Sequence, residues 1–176
     1  MTPNLVLIGF MGCGKSSVGR RLSGLTGHRF VDTDELIVQA EGRSIPEIFA
    51  QQGEEYFREA ETRALESTLE MQGVILSTGG GLILRAQNRE LLPRIGIVAW
   101  LDAKPEILFE RASRSGKRPL LQTENPWQTF TALLDSRREI YTATADFRVD
   151  STDLSHDEVA QSLLDEALKH TARFDH

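Results

Sequence analysis

Gly9-Phe10-Met11-Gly12-Cys13-Gly14-Lys15-Ser16 follows directly on Leu5-Val6-Leu7-Ile8. The octapeptide fits G-x-x-x-x-G-K-[ST], the phosphate-binding loop. The segment before it is short, apolar and branched, as a buried strand is. After it Val18, Leu22 and Leu25 recur at spacings of four and three, which marks one face of a helix. The residue types suit an anion. Glycines let the backbone wrap closely and aim successive N–H groups inward, and the helix that follows adds the positive end of its dipole. In this pattern Lys15 reaches the β- and γ-phosphates, the Ser16 hydroxyl ligates Mg²⁺, and Ser17 stands next to the α-phosphate. Gly12, Cys13 and Gly14 supply the cradle.

The rest of the composition sets limits. At 176 residues, with 40% hydrophobic and 26% charged residues, the chain has the make-up of one soluble globular domain. The expected boundaries are 1–176, with a core over 4–170. The N-terminus lacks the basic start and cleavage site of a signal peptide, and no apolar run approaches the ~18 residues of a membrane span. Cys13 is the only cysteine, so no internal disulfide is expected and a reducing cytoplasm is the expected location. A net charge of −6 argues against nucleic-acid partners. Local arginines can still serve phosphates, because charges beyond a Debye length of about 10 Å are largely screened.

Outward from the loop, strand and helix patterns alternate. Arg29–Val31 reads as a second strand ending in Asp32-Thr33-Asp34-Glu35, with a helix closed near Gly42. Ser44-Ile45-Pro46-Glu47 is a capping box for a short helix that stops at Gly53. A longer helix is expected from Glu54 to Met71. Val74–Ser77 forms a third strand running into Thr78-Gly79-Gly80-Gly81, then a helix over Ala86–Leu92 ends at Pro93. Ile97–Leu101 forms a fourth strand, and Pro105 opens a helix. A basic, aperiodic stretch of about 112–126 follows, of a length that is usually functional in a compact domain. Trp127–Ala143 is helical, Phe147–Val149 is a fifth strand, and Ser155–Glu158 is a second capping box. Such alternation specifies a parallel sheet covered on both faces, with ligands at the carboxyl ends of the strands. The phosphate loop, Asp32/Asp34, the triple glycine and the segment after Leu101 therefore share one rim.

Phosphoryl transfer needs metal support, a group to orient or deprotonate the acceptor, and cations for the transferring charge. Asp32 and Asp34 fit the first two, unless Asp34 merely caps the next helix. Arg58, with Glu54 at i−4 and Glu61 at i+3, could equally be a surface ion pair. The triple glycine permits close backbone approach or serves as a hinge. Arg137 and Arg138 could be solvated charges.

Taken in series, Gly9–Gly19, Asp32–Glu35, Gly53–Glu61, Ser77–Gly81, Arg118-Pro119-Leu120-Leu121 and Arg137–Tyr141 resemble the shikimate kinase family over about residues 5–150. The resemblance implies a three-layer α/β fold of the nucleoside monophosphate kinase type, with a five-stranded parallel sheet in order 2-3-1-4-5. It implies transfer of the ATP γ-phosphoryl to the 3-hydroxyl of shikimate, in the pathway to chorismate and the aromatic amino acids, with Mg²⁺. Asp34 matches the carboxylate that holds the shikimate hydroxyls and acts as base. Arg58 and Arg137 match the pair gripping the shikimate carboxylate, a task for planar bidentate donors. Gly80, flanked by Gly79 and Gly81, matches a backbone contact to shikimate, and a shikimate-binding helical region is expected over about 33–61. Asp32 matches a water-mediated metal contact, Arg118 a lid arginine over the phosphates, and Arg111 the residue along adenine. ATP and shikimate are the expected partners of a monomer.

Two departures accompany the resemblance. The family's Arg-x-Pro-Leu-Tyr is Arg137-Arg138-Glu139-Ile140-Tyr141 here, so Arg138 competes with Arg137, although spacing to Tyr141 favours Arg137. Residues 151–154 lack the basic residue some members place near adenine. Gluconate kinase would share the loop and fold. A small GTPase would need D-x-x-G and N-K-x-D motifs, which are missing, and intact Lys15, Ser16, Asp32 and Asp34 argue against an inactive binding protein.

Overall fold

The computed structural model describes residues 3–114 and 123–171. Five strands, β1 (Leu5–Ile8), β2 (Arg29–Asp32), β3 (Val74–Ser77), β4 (Ile97–Asp102) and β5 (Phe147–Asp150), form one sheet in order β2-β3-β1-β4-β5. Every pairing is parallel, with Leu5 opposite both Ile75 and Ile97. All residues of β1, β3 and β4 are buried, so both faces of the sheet centre are covered. At the amino ends of the strands, Asn4 donates to the carbonyls of Met71 (2.7 Å) and Ile95 (3.0 Å) and accepts from the Val74 amide (3.0 Å). One amide side chain thereby ties three strand entries together.

The helices are α1 (Lys15–Thr26), α2 (Thr33–Glu41), α3 (Ile45–Glu66), α4 (Ala86–Ile95), α5 (Pro105–Arg114), α6 (Pro126–Thr144) and α7 (His156–Lys169). Both capping boxes form: the Ser44 and Ser155 amides each donate to the carboxylate three residues on, at 2.8 Å. α3 is broken at Gly53, whose φ of 82° and ψ of 177° only glycine adopts readily. The expected stop of the short helix is therefore a kink joining two helical segments.

Two helix ends differ from expectation. α3 closes at Glu66 rather than Met71, because Thr68 is fully buried and gives its hydroxyl to the Leu65 carbonyl at 2.7 Å, tightening the chain into turns. α4 runs past Pro93 to Ile95, since Leu91, Leu92 and Ile95 are all buried and a proline in the last turn forfeits only its own hydrogen bond.

The principal core surrounds the sheet. A second cluster, Ile37, Ile48, Phe57, Ala60 and Ala64, joins α2 to α3. That cluster holds the helical pair together as its own packed unit at the β2 edge.

Candidate active site

A cavity of about 790 Å³ opens over the carboxyl ends of the strands. At one end lies the loop between β1 and α1. Gly12 and Gly14 take positive φ there, and Gly14 precedes the first residue of α1. The helix thus points its unpaired N–H groups into the cavity. Lys15 folds back so that Nζ donates to the Gly9 carbonyl (2.6 Å) and the Phe10 carbonyl (3.4 Å). Ser16 and Ser17 are exposed to the cavity. Cys13 is buried beneath the loop and does not line the cavity.

Asp32 bridges two elements. Its Oδ1 accepts from the Asp34 amide at 2.9 Å, capping α2, while Oδ2 accepts from the Ser16 hydroxyl at 3.1 Å. Asp32 is the helix cap, which leaves the Asp34 side chain to line the cavity. The hydroxyl of Ser16 and the carboxylate of Asp32 are hard oxygen donors on one spot. Such a pair fits a Mg²⁺ that takes its remaining oxygens from phosphates and water.

At the other end Arg58 and Arg137 face the triple glycine. Arg58 Nη1 pairs with Glu61 at 2.8 Å and Nη2 with Glu54 at 3.0 Å. Burial disfavours the Arg58 charge, but those bonds more than offset it and hold its pKa above the ordinary value. The same contact reads differently for Glu61. Burial raises its pKa, and the Arg58 hydrogen bond opposes that rise without cancelling it. We take burial as decisive, because Glu61 is only 1% exposed and Asp34 adds its own charge to the rise.

The glycines make room for these groups. A Cβ on Gly79 would lie 2.7 Å from Asp34 Oδ1, and one on Gly81 would run into the Arg58 guanidinium. The Gly79 amide donates to Thr33 at 2.9 Å, fastening the glycine turn to α2. The Gly80 carbonyl accepts from Arg137 Nη1 (3.0 Å) and from the Tyr141 hydroxyl (3.1 Å). Burial drives the Tyr141 pKa well upward, so that hydroxyl keeps its proton. Arg137 is buried and lines the cavity, whereas Arg138 turns to Asp102. Ile45, Phe49 and Phe57 form an apolar wall beside Arg58.

Toward the α5 side, Arg111 donates to the Ser151 hydroxyl and carbonyl, both at 3.2 Å, and lines the cavity with Arg114 and His156. Arg118 lies outside the described residues, as does most of the expected lid. Sequence reasoning did not single out Glu61, Thr33 or Ser151. Glu61 was visible only as an i+3 partner of Arg58, and nothing in a one-dimensional pattern distinguishes a buried helix carboxylate from a solvated one.

A family model described as shikimate kinase matches residues 11–168. The chain belongs to the shikimate kinase family. It is 42% identical over 162 residues to the shikimate kinase of Actinobacillus pleuropneumoniae serotype 5b, covering 92% of this chain and 94% of that one. Identity to the shikimate kinase of Symbiobacterium thermophilum is 44% over 148 residues, 83% of this chain and 85% of the relative. Among solved structures, a shikimate kinase from Acinetobacter baumannii in complex with shikimate superposes with a TM-score of 0.91 at 39% identity, covering 97% and 95% of the two chains. A gluconokinase from Sinorhizobium meliloti, at 18% identity and a TM-score of 0.61, shares the fold alone.

Proposed function

We propose that this chain transfers the γ-phosphoryl group of ATP to the 3-hydroxyl of shikimate, giving shikimate 3-phosphate and ADP, in the route to chorismate and the aromatic amino acids. One observation carries the reading: the phosphate loop shares a cavity with Asp34 and with two guanidiniums, Arg58 and Arg137, around a turn that glycines keep open. A phosphate cradle alone serves many acceptors. A pair of arginines with a carboxylate in the same cavity suits an acceptor that is both an anion and a polyol.

In this reading Arg58 and Arg137 grip the shikimate carboxylate, and the backbone of Gly79, Gly80 and Gly81 borders the ring. Asp34 takes the proton of the attacking hydroxyl as the oxygen bonds to the γ-phosphorus. The bond from that phosphorus to the bridging oxygen breaks, and its electron pair leaves with ADP. Lys15 exchanges the Gly9 and Phe10 carbonyls for the β- and γ-phosphate oxygens, and Gly12, Cys13, Gly14, Ser16 and Ser17 complete the cradle. Arg111, held by Ser151, borders the adenine. Ser16 directly and Asp32 through water would hold Mg²⁺, which supplies charge neutralisation on the phosphates when bound.

The chain is taken as one kinase domain acting as a monomer. We place it in the cytoplasm, away from membranes and nucleic acid. No helix among the described residues is long and apolar enough to cross a membrane.

The test is ADP release with ATP and Mg²⁺ against shikimate, gluconate, nucleoside monophosphates and no acceptor. Turnover with shikimate at least a hundredfold above the rest is expected. Preference for gluconate or a nucleotide would overturn the assignment.

A further inference from the structure

Arg138 stands beside the cavity-lining Arg137 but does not line the cavity. Its Nη1 lies 3.3 Å from Asp102 Oδ2, and Arg148 Nη2 lies 2.9 Å from the same oxygen. Asp102, the last residue of β4, has a side chain only 2% exposed. A carboxylate removed from water needs such partners. The contacts continue in a circuit. The Arg148 guanidinium covers the Trp100 ring at 5.2 Å, Trp100 stacks on Tyr141 at 5.5 Å, and Tyr141 shares the Gly80 carbonyl with Arg137.

Helix geometry gives this circuit a consequence. Successive residues on α6 are rotated by about 100°, so anchoring Arg138 at the end of β4 fixes the direction taken by Arg137. Tyr141, four residues after Arg137, lies on the same stripe and repeats the constraint one turn later. We infer that Arg138 and Asp102 are positioning residues for substrate binding: their ion pair sets the rotation of α6, so that Arg137 meets an acceptor carboxylate at the glycine turn. The inference rests on the shikimate reading above. Neither residue touches substrate.

The test is steady-state kinetics of the full chain with ATP and shikimate, alongside thermal melts. Arg138→Ala leaves Asp102 paired with Arg148, so the variant is expected to fold. Its KM for shikimate should rise about tenfold, within the range known for remote misplacement of a binding group. Its kcat and KM for ATP should stay within about twofold. Asp102→Asn should reproduce the shift, Arg138→Lys should recover part of it, and the double variant should be no worse than Arg138→Ala, as expected of one shared contact.

An unchanged KM for shikimate in folded Arg138→Ala overturns the inference. So does a shift that Asp102→Asn fails to reproduce, which would make Arg138 a direct ligand. Equal losses for both substrates with a lower Tm would reduce the pair to a fold contact. If Arg138→Ala does not fold, Arg138→Lys and Asp102→Asn decide by the same comparison. A wild-type chain inactive on shikimate removes the functional reading and this inference with it, whereas an active wild type with indifferent variants removes this inference alone.

Discussion

Asp34 and Glu61 are carboxylates in one cavity, and their surroundings ask different things of them. Asp34 stands at the start of α2 without capping it, its shape accommodated by the missing side chain of Gly79. Asp34→Asn keeps that shape and removes the proton acceptor. The kcat should fall by about 10²–10⁴-fold while KM for shikimate changes far less; equal losses would make Asp34 a binding group only. Glu61 instead is held above the ordinary carboxylate value by burial, against the pull of Arg58. The folded chain therefore holds this proton more tightly than the unfolded chain. The stability it contributes is complete below the unfolded value of about 4.3 and is lost as pH rises through the folded value. Against Glu61→Gln, which does not titrate, the wild type should lose Tm progressively as pH rises above the unfolded value. A constant offset as pH rises would show that Arg58 has cancelled the effect of burial.

Among the elements, α3 carries the most consequence for the site, because Ile45, Phe49, Phe57, Arg58 and Glu61 all lie on it, on both sides of the Gly53 break. Any side chain at that φ and ψ is strained, so Gly53→Ala should lower stability by about 1–3 kcal/mol. It should also raise KM for shikimate more than KM for ATP, since Arg58 lies less than one and a half turns beyond the kink. An unchanged melt and unchanged kinetics would mean that the break is incidental. The glycine was legible in the sequence as a stop, because a capping box before it and an apolar period after it bracket it. That the two segments continue as one bent rod was not legible, for it depends on Ile37, Ile48 and Phe57 meeting in a separate cluster. Thr68 was likewise opaque, since a threonine serves equally well within a helix or at its end. Whether Arg137 or Arg138 faced the cavity also turned on tertiary contacts, with Gly80 and Asp102 as the deciding partners.

For the molecule as a whole, the sheet order came from the family resemblance, but a parallel sheet with one ligand-bearing rim was readable, because strands alternate with helices and Leu5–Ile8, Val74–Ser77 and Ile97–Leu101 are apolar enough to be central strands. The identity of the residues that brace the rim was not, since Thr33 and Ser151 act through the backbone of distant segments. Among the described residues five cations, Lys15, Arg58, Arg111, Arg114 and Arg137, line the cavity against three carboxylates, although the chain carries a net charge of −6. Anionic ligands should therefore lend the fold measurable stability. Shikimate at a hundred times its Kd should contribute about 2.7 kcal/mol. For a chain of this size that amounts to a Tm rise of about 5–11 °C. Arg137→Ala should abolish most of the rise; an equal rise in that variant would place the ligand elsewhere.

Of the five strands, the one bearing the phosphate loop leaves the ribosome before the other four and stands in the middle of the finished sheet. Its neighbours come from far along the chain, Leu5 meeting Ile75 on one side and Ile97 on the other. A nascent segment ending before β3 holds the whole loop sequence, yet it has no strand on either side to keep the loop in shape. Long-range parallel pairing of this kind is slow, and it leaves strand edges open while it is pending. Nucleotide capture should consequently appear late in synthesis and all at once, after β4 has emerged. Arrested chains of increasing length would show it as a step rather than a gradual gain.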